Sequence, residues 1–398
     1  MLKRINQCDV YVGMWCIYML QGILYPRGII NQVVQLTMLL WSMAVVLKYI
    51  IRPSVYLHSP ILKTTILLIV MYMIYGGIHI MFGDAIMMRD QYLYLQASLN
   101  SLAPVFLFYD FTMNGKLTSE RIRIYLPILI ITCILLYYEN ARQFSLLTNQ
   151  EEVTNNIGYM FITLIPFLFF YSRKPILQYV FIGIILLYVF MGMKRGAILI
   201  GILATMILLY SNLKNSSRRM KILFVILTTV IVVGVSKYID YMMDNSAYFM
   251  ARYEQTVEGD ASGRDIIYEK LWNTLLSETS PFYFYFGRGA DSTLKVAGNY
   301  AHQDWLETFC NNGLIGVLIL FSFFYTFGKN AWRSRRSFSV MLSYSFITLF
   351  IVIFCKTLFS MSVQDLKLSE SMMLGYFAFW MTQPSEETEE ELFSDSLL

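Results

Sequence analysis

His302-Gln303-Asp304-Trp305-Leu306-Glu307, followed by Gly313-Leu314-Ile315-Gly316 and an apolar run to Phe327, decides how this chain is read. The stretch sets a titratable cluster against the mouth of an apolar helix. Only three histidines occur in 398 residues, and this one closes the longest polar segment of the chain. A histidine at such a boundary can meet water, lipid headgroups and a buried acceptor at once.

Composition names the solvent on the other side of that boundary. The chain is 57% hydrophobic and 15% charged, with a mean hydropathy of +0.52. That is more apolar surface than a soluble core of this size can hide, and the repeated apolar stretches of about 17 to 22 residues match the bilayer thickness. Backbone amides in lipid must pair within their own segment, and nothing alternates as the strands of a membrane barrel would, so the spans are helices. The expectation is an all-α polytopic integral membrane protein with about twelve spans, at 10–26, 32–50, 61–82, 91–111, 123–139, 156–171, 176–193, 196–211, 221–239, 304–327, 338–359 and 368–381. Residues 91–111, with Gln96, Ser98, Asn100 and Pro104, are the least apolar of these.

The cations give an orientation. Alternate connections hold Lys3 and Arg4; Lys48, Arg52 and Lys63; Lys116, Arg121 and Arg123; Arg173 and Lys174; Lys214, Arg218, Arg219 and Lys221; and Lys329, Arg333, Arg335 and Arg336. The positive-inside rule then puts both termini in the cytoplasm. The chain divides into a first helical block, 1–239, a large external loop, 240–303, a second helical block, 304–381, and an acidic cytoplasmic tail, 382–398, whose run Glu386-Glu387-Thr388-Glu389-Glu390-Glu391 reads as a solvated end. No cleavable signal peptide is apparent, so the first helix is expected to stay as an anchor. The net charge of +4 follows from the topology signals and does not call for nucleic acid. Cys8, Cys16, Cys133, Cys310 and Cys355 lie in or beside apolar spans without metal-ligand spacing and read as small hydrophobes.

Lys194 and Arg195 break the charge rule. In Gly192-Met193-Lys194-Arg195-Gly196-Ala197 they fall on the outer side, between two apolar runs joined by almost no loop. One reading is a snorkelling pair at a helix junction. The other is a cationic site for a phosphate-bearing substrate, in which Arg195 forks two hydrogen bonds to phosphoryl oxygens and Gly196 permits close backbone approach. The second is favoured because other cations share that side. Arg252, Arg264, Arg288 and Lys295 are interleaved with Tyr253, Tyr268, Trp272 and the aromatic run Phe282 to Phe286. Such a pattern suits stacking on sugar faces, or a helix lying on the bilayer surface. Ser262-Gly263-Arg264-Asp265 predicts a helix start capped by Ser262, with Ile266, Ile267, Lys270, Leu271 and Leu275 as its stripe. Gly287-Arg288-Gly289 lacks the context of a nucleotide loop and predicts a turn.

The pattern His302-Gln303, nine residues, Gly313, two residues, Gly316 resembles the His…Gly…Gly signature of the O-antigen ligase and O-antigen polymerase superfamily of bacterial envelope enzymes. Arg264 with Tyr268 one turn later resembles the family's loop arginine. Lys194-Arg195-Gly196-Ala197 resembles its Arg-Gly-Ala helix junction. The motifs cover roughly 190–327; the rest is similar only in hydropathy.

The resemblance implies a multi-pass glycosyltransferase of the bacterial inner (cytoplasmic) membrane, GT-C-like in architecture, metal-independent and without cofactor. Its donor would be an undecaprenyl-diphosphate-linked oligosaccharide, with a chain-length regulator as a candidate protein partner. Arg195 and Arg264 would stabilise charge on the leaving diphosphate, and His302 would take the acceptor's proton. Lys194, Arg252, Tyr268, Arg288 and Gln303 would bind substrate. Asp304 and Glu307 would orient the acceptor or His302, or else simply enrich a helix's first turn with negative charge; His302 itself can alternatively be a helix-capping or interfacial residue. The wording His-Gln-Asp-Trp-Leu-Glu looks more like polymerases of surface polysaccharide (O-antigen, capsule or exopolysaccharide) than like ligases, which transfer finished glycan to lipid A core. A transporter of lipid-linked glycans, with inverted repeats and broken helices, is a third reading, for which Lys356 would line a cavity.

Overall fold

Gly313 interrupts the helix that carries the deciding stretch, and the fold is best followed outward from that break. The computed structural model describes residues 6–21, 23–24, 28–52, 58–82, 85–148, 155–246, 249–251, 253–254, 263–360 and 362–383. Arg252, Ser262 and the acidic run 386–391 lie outside the described residues. The architecture is all helix, with no strand among the described residues.

A first block comprises α1 (Gln7–Met19), α2 (Ile29–Ile51), α3 (Pro60–Phe82), α4 (Ala85–Met113) and α5 (Ser119–Thr148). Then come α6 (Gly158–Ile162), a 3₁₀ turn over Ile165–Tyr171, α7 (Pro175–Met191), α8 (Arg195–Asn215) and α9 (Arg218–Asn245). The loop segment holds α10 (Arg264–Leu276), α11 (Pro281–Phe286) and α12 (Ser292–Ala297). The chain closes with α13 (Asp304–Arg333), α14 (Val340–Phe359) and α15 (Leu368–Trp380).

Among the described residues, seven helical stretches are long and apolar enough to cross a bilayer: Ile29–Ile51, Pro60–Gly77, Ser119–Gln143, Arg195–Lys214, Arg218–Asn245, Asp304–Arg336 and Val340–Phe359. Their exposed faces are apolar. On α9, Ile222, Val225, Ile226, Val230, Val232 and Val233 all point outward, which only a lipid solvent makes favourable.

Several expected spans take a different form: the helix expected at 10–26 stops at Met19 after 13 residues, and that expected at 368–381 is also 13 residues long. Residues 156–171 are no continuous helix; α6 ends at Ile162 and a 3₁₀ turn follows. Pro166 cannot donate to the carbonyl of Ile162, which weakens the helix at the point where α6 gives way to the 3₁₀ turn. The segment is buried almost throughout, with Phe161, Phe167 and Phe169 among the most enclosed side chains. The span expected at 304–327 belongs to the longer α13 and is broken, because Gly313 has φ 67 and ψ −167.

Close packing and buried polar pairs hold the bundle. A Cβ on Gly375 of α15 would stand 2.6 Å from the carbonyl oxygen of Val105 in α4, so only glycine lets these backbones meet. Lys356 of α14 is buried, and its Nζ lies 2.8 and 2.9 Å from the two carboxylate oxygens of Glu370 on α15. Neutralising it within the bundle is what makes a charge there tolerable. Lys48 pairs likewise with Asp110, at 2.7 Å.

Candidate functional site

The Lys194–Arg195 junction is built from the segment beneath it. After α7 ends, Met193 takes the left-handed conformation with φ 51, unusual for a bulky side chain, and α8 starts at Arg195. Asn155 clamps the turn. Its backbone N–H donates to the carbonyl of Gly192 at 2.9 Å, and its side-chain amide donates to the carbonyl of Tyr137 at 3.0 Å. The Tyr137 hydroxyl in turn donates to the carbonyl of Met191 at 2.8 Å. Lys194 and Arg195 are half-buried. Gly196 has a use other than backbone approach by a substrate: a Cβ there would collide with the Tyr159 hydroxyl and stand 2.7 Å from Cβ of Phe359, so the bare backbone admits protein side chains.

The loop delivers a second cation to the same place. Gly263, with φ 73, occupies the N-cap position of α10 and Arg264 is its first helical residue. Leu271 of α10 buries against Ala301, Leu306 and Cys310, with Ile267, Tyr268 and Leu275 packed on the same cluster. That stripe fixes the helix across the start of α13. The charge of Arg264 then acts on His302, on Tyr268 and on Tyr159, the tyrosine beneath Gly196. Burial raises the Tyr268 phenol above its ordinary value, and Arg264 opposes that rise.

His302 feels the charges of both Arg264 and Lys194. It is half-buried and itself left-handed, with φ 52. It does not cap α13; Gln303 occupies the N-cap position, without a side-chain capping bond. Burial lowers the imidazole pKa from its ordinary 6.5, and the charges of Arg264 and then Lys194 push it further the same way. The ring is therefore held neutral at pH 7, the form that accepts a proton. Left-handed non-glycine residues at both His302 and Met193 mark these junctions as places where backbone strain is held by the surroundings.

The acidic residues after His302 have become scaffold. Asp304 is buried and its Oδ2 accepts from the backbone N–H of Ser362 at 2.8 Å and of Val363 at 3.1 Å. Glu307 is buried; its carboxylate accepts from the Thr293 hydroxyl at 2.6 Å, the Ala301 N–H at 3.0 Å and the Asn311 amide at 3.2 Å. Both lie in the first turn of α13, where the helix dipole favours negative charge, and both spend their oxygens on protein donors. Arg288 is engaged too, donating through Nε to Glu278 at 3.0 Å while its guanidinium lies over the Tyr283 ring.

The Gly287-Arg288-Gly289 turn plugs the break in α13. Because Gly313 turns the helix aside, the carbonyls of Cys310 and Asn311 accept instead from the N–H groups of Arg288 at 2.9 Å and Gly289 at 3.0 Å. Gly287, with φ 75, and Gly313 press so closely that a Cβ on Gly313 would stand 2.5 Å from the nitrogen of Gly287. On the other flank the Asn312 carbonyl accepts from Tyr75 at 3.2 Å and its side-chain oxygen from Tyr94 at 3.0 Å. The carbonyls of Cys310, Asn311 and Asn312 thus find donors outside their own helix, as a low-dielectric interior favours.

The structure thus brings the charges of Lys194 and Arg264 to bear on the half-buried imidazole of His302, with Tyr268 under the influence of Arg264 and Arg195 next to Lys194 in the chain, and gives Arg288, Asp304 and Glu307 protein partners. Tyr159, Asn155, Asn311 and Asn312 were not singled out from sequence. Two adjacent amides just before Gly313, at the head of an apolar run, were the available signal. No group of histidine, cysteine, aspartate and glutamate able to hold a metal ion stands among the described residues. No family model matches the chain, and no curated protein matches it significantly.

Proposed function

We propose that the chain is a membrane glycosyltransferase that polymerises lipid-linked repeat units of a surface polysaccharide, with His302 as the base toward an acceptor hydroxyl. The observation that carries the reading is that two cationic segments, at the starts of α8 and α10, act on one half-buried histidine and lower its pKa together with its burial. Transfer from a polyprenyl diphosphate needs both elements. Negative charge develops on the leaving diphosphate, where fixed guanidinium and ammonium groups stabilise it; a proton must leave the attacking hydroxyl, and a neutral imidazole takes it. Arg195 and Arg264 are assigned to the diphosphate, Lys194 to its periphery, and Tyr268 and Gln303 to the glycan. The reading includes twelve passages through a bacterial cytoplasmic membrane, a GT-C-like arrangement, cytoplasmic termini and an external site. Labels placed in 263–303 must then react from outside, and labels at 214–220 and 329–337 only from within.

The test is a membrane assay with polyprenyl-diphosphate-linked repeat. His302→Gln keeps a hydrogen-bonding side chain but cannot take up the proton, and turnover should fall by about 10²- to 10⁴-fold with donor still bound. Normal polymer length and yield from that variant would sink base catalysis.

One observation favours the transporter reading instead: α13 is a broken helix, a device carriers use at their binding sites. Proteoliposomes distinguish the two. A carrier moves labelled lipid-linked glycan across the bilayer without altering it, whereas a polymerase lengthens it in place.

A further inference from the structure

A cavity of about 230 Å³ opens between α1, α2, α4 and the segment that leads into α15. Trp15, Tyr18, Gln35, Asn100, Asp365 and Lys367 are among the residues that line it. It lies at the same end of the bundle as the start of α13, because the segment that begins at Ser362, whose backbone Asp304 holds, continues into Asp365 and Lys367 on the cavity wall. His302 is not part of it.

The polar groups in this cavity are unusual for their setting. Gln35 sits within the membrane-crossing stretch Ile29–Ile51, and Asn100 sits mid-way along α4. Among the described residues neither side-chain amide has a hydrogen-bond partner, although both are half-buried. Pro104 follows Asn100 by one turn and carries no N–H, so the Asn100 carbonyl also loses its helical donor. Unpaired amides in an apolar bundle are costly, and they persist where something polar arrives to pair with them. Opposite them Lys367 is held by Asp365, a charged pair that offers both donors and acceptors. Trp15 is buried at the wall and Tyr18 half-buried beside it.

We propose that this cavity binds a single glycosyl ring, presented by a lipid. Amides and a carboxylate–ammonium pair match vicinal hydroxyls, each of which donates and accepts, and aromatic faces match the C–H face of a sugar. A phosphodiester headgroup would demand surplus positive charge, but the one lysine here is already neutralised by Asp365. The volume falls below the roughly 300 to 1,000 Å³ of drug-sized pockets, which limits the occupant to about one ring. The placement among membrane helices points to a ring carried on an alkyl chain. The inference does not depend on transfer by His302 and stands or falls separately from it.

Ligand-observed saturation-transfer NMR on the full chain in phosphatidylcholine nanodiscs tests the site. The probes are octyl β-glucoside below its critical micelle concentration, methyl β-glucoside, and octyl phosphocholine of equal chain length. Ring protons of a glucoside should be saturated, and Gln35→Leu with Asn100→Leu should weaken this at least tenfold. Preference for the octyl over the methyl form assigns the ring to a lipid. The same double variant should melt no lower than wild type, since neither amide pairs with the protein, and His302→Gln should bind as wild type does. Equal saturation of the phosphocholine headgroup would overturn the proposal in wild-type protein alone; so would glucoside binding that ignores the double substitution.

Discussion

Arg264 and His302, thirty-eight positions apart, stand close enough that the guanidinium's charge and burial together hold the imidazole below its usual pKa. The apolar stripe of α10 enforces the relationship. Leu271 packs on Leu306 and Cys310, so the first residue of α10 is aimed at the last residues before α13.

The pH dependence of kcat/KM should report this pair. A base is active when deprotonated, so activity should rise with pH through the lowered pKa of His302 and be flat above it. The acid limb belongs below 6.5. Arg264→Ala removes one of the depressing charges and must move the limb to higher pH, whatever it does to the height of the profile. A limb that stays in place would separate the titration from this contact.

Substitutions at the cations should reveal one shared ligand. Arg195→Lys keeps the charge but loses the planar fork, so activity should fall substantially while the protein still inserts. Arg195→Ala combined with Arg264→Ala should lower activity by less than the product of the single effects. Near-normal turnover in Arg195→Ala would return that residue to a snorkelling role.

Gly313→Ala should damage the break in α13. The position has φ 67 and ψ −167, a region essentially reserved for glycine that costs an L-residue about 1–3 kcal/mol, and the added methyl would strike the Tyr285 and Gly287 backbone. We expect a lower melting temperature and faster proteolysis near 281–289. An unchanged digest would mean the loop is held elsewhere.

The Lys356–Glu370 pair should behave as a unit. Lys356→Met or Glu370→Met alone leaves a buried charge and should cost about 3–5 kcal/mol, while the double substitution should recover most of the loss. A double-mutant cycle on thermal unfolding reads this directly, and additive losses would contradict the pairing.

Much of this could be read from residue types alone. Apolar runs separated by cations predict a membrane-embedded helical bundle, since backbone amides in lipid have no other way to be satisfied. The turn at Gly287-Arg288-Gly289 and the helix beginning near Arg264 follow from local chemistry, although the N-cap position falls at Gly263 rather than Ser262. Residues 156–171 exposed the limit of hydropathy: Phe161, Phe167 and Phe169 are apolar enough for a span, but Pro166 divides the segment and burial within the bundle makes the shape tolerable.

Periodicity and charge, properties each residue carries with it, determined the solvent, the helices and the list of candidate cations and histidine. Which candidates meet is a property of packing. Arg264 and Arg288 share one aromatic-rich loop in sequence, yet the fold brings the charge of one to bear on His302 and ties the other to Glu278. Sequence left Asp304 and Glu307 open between a site and a helix's first turn; the fold occupies their oxygens with Ser362, Val363 and Thr293 from other segments and with Ala301 nearby. Those partners lie up to fifty-nine positions away, and no local rule reaches that far.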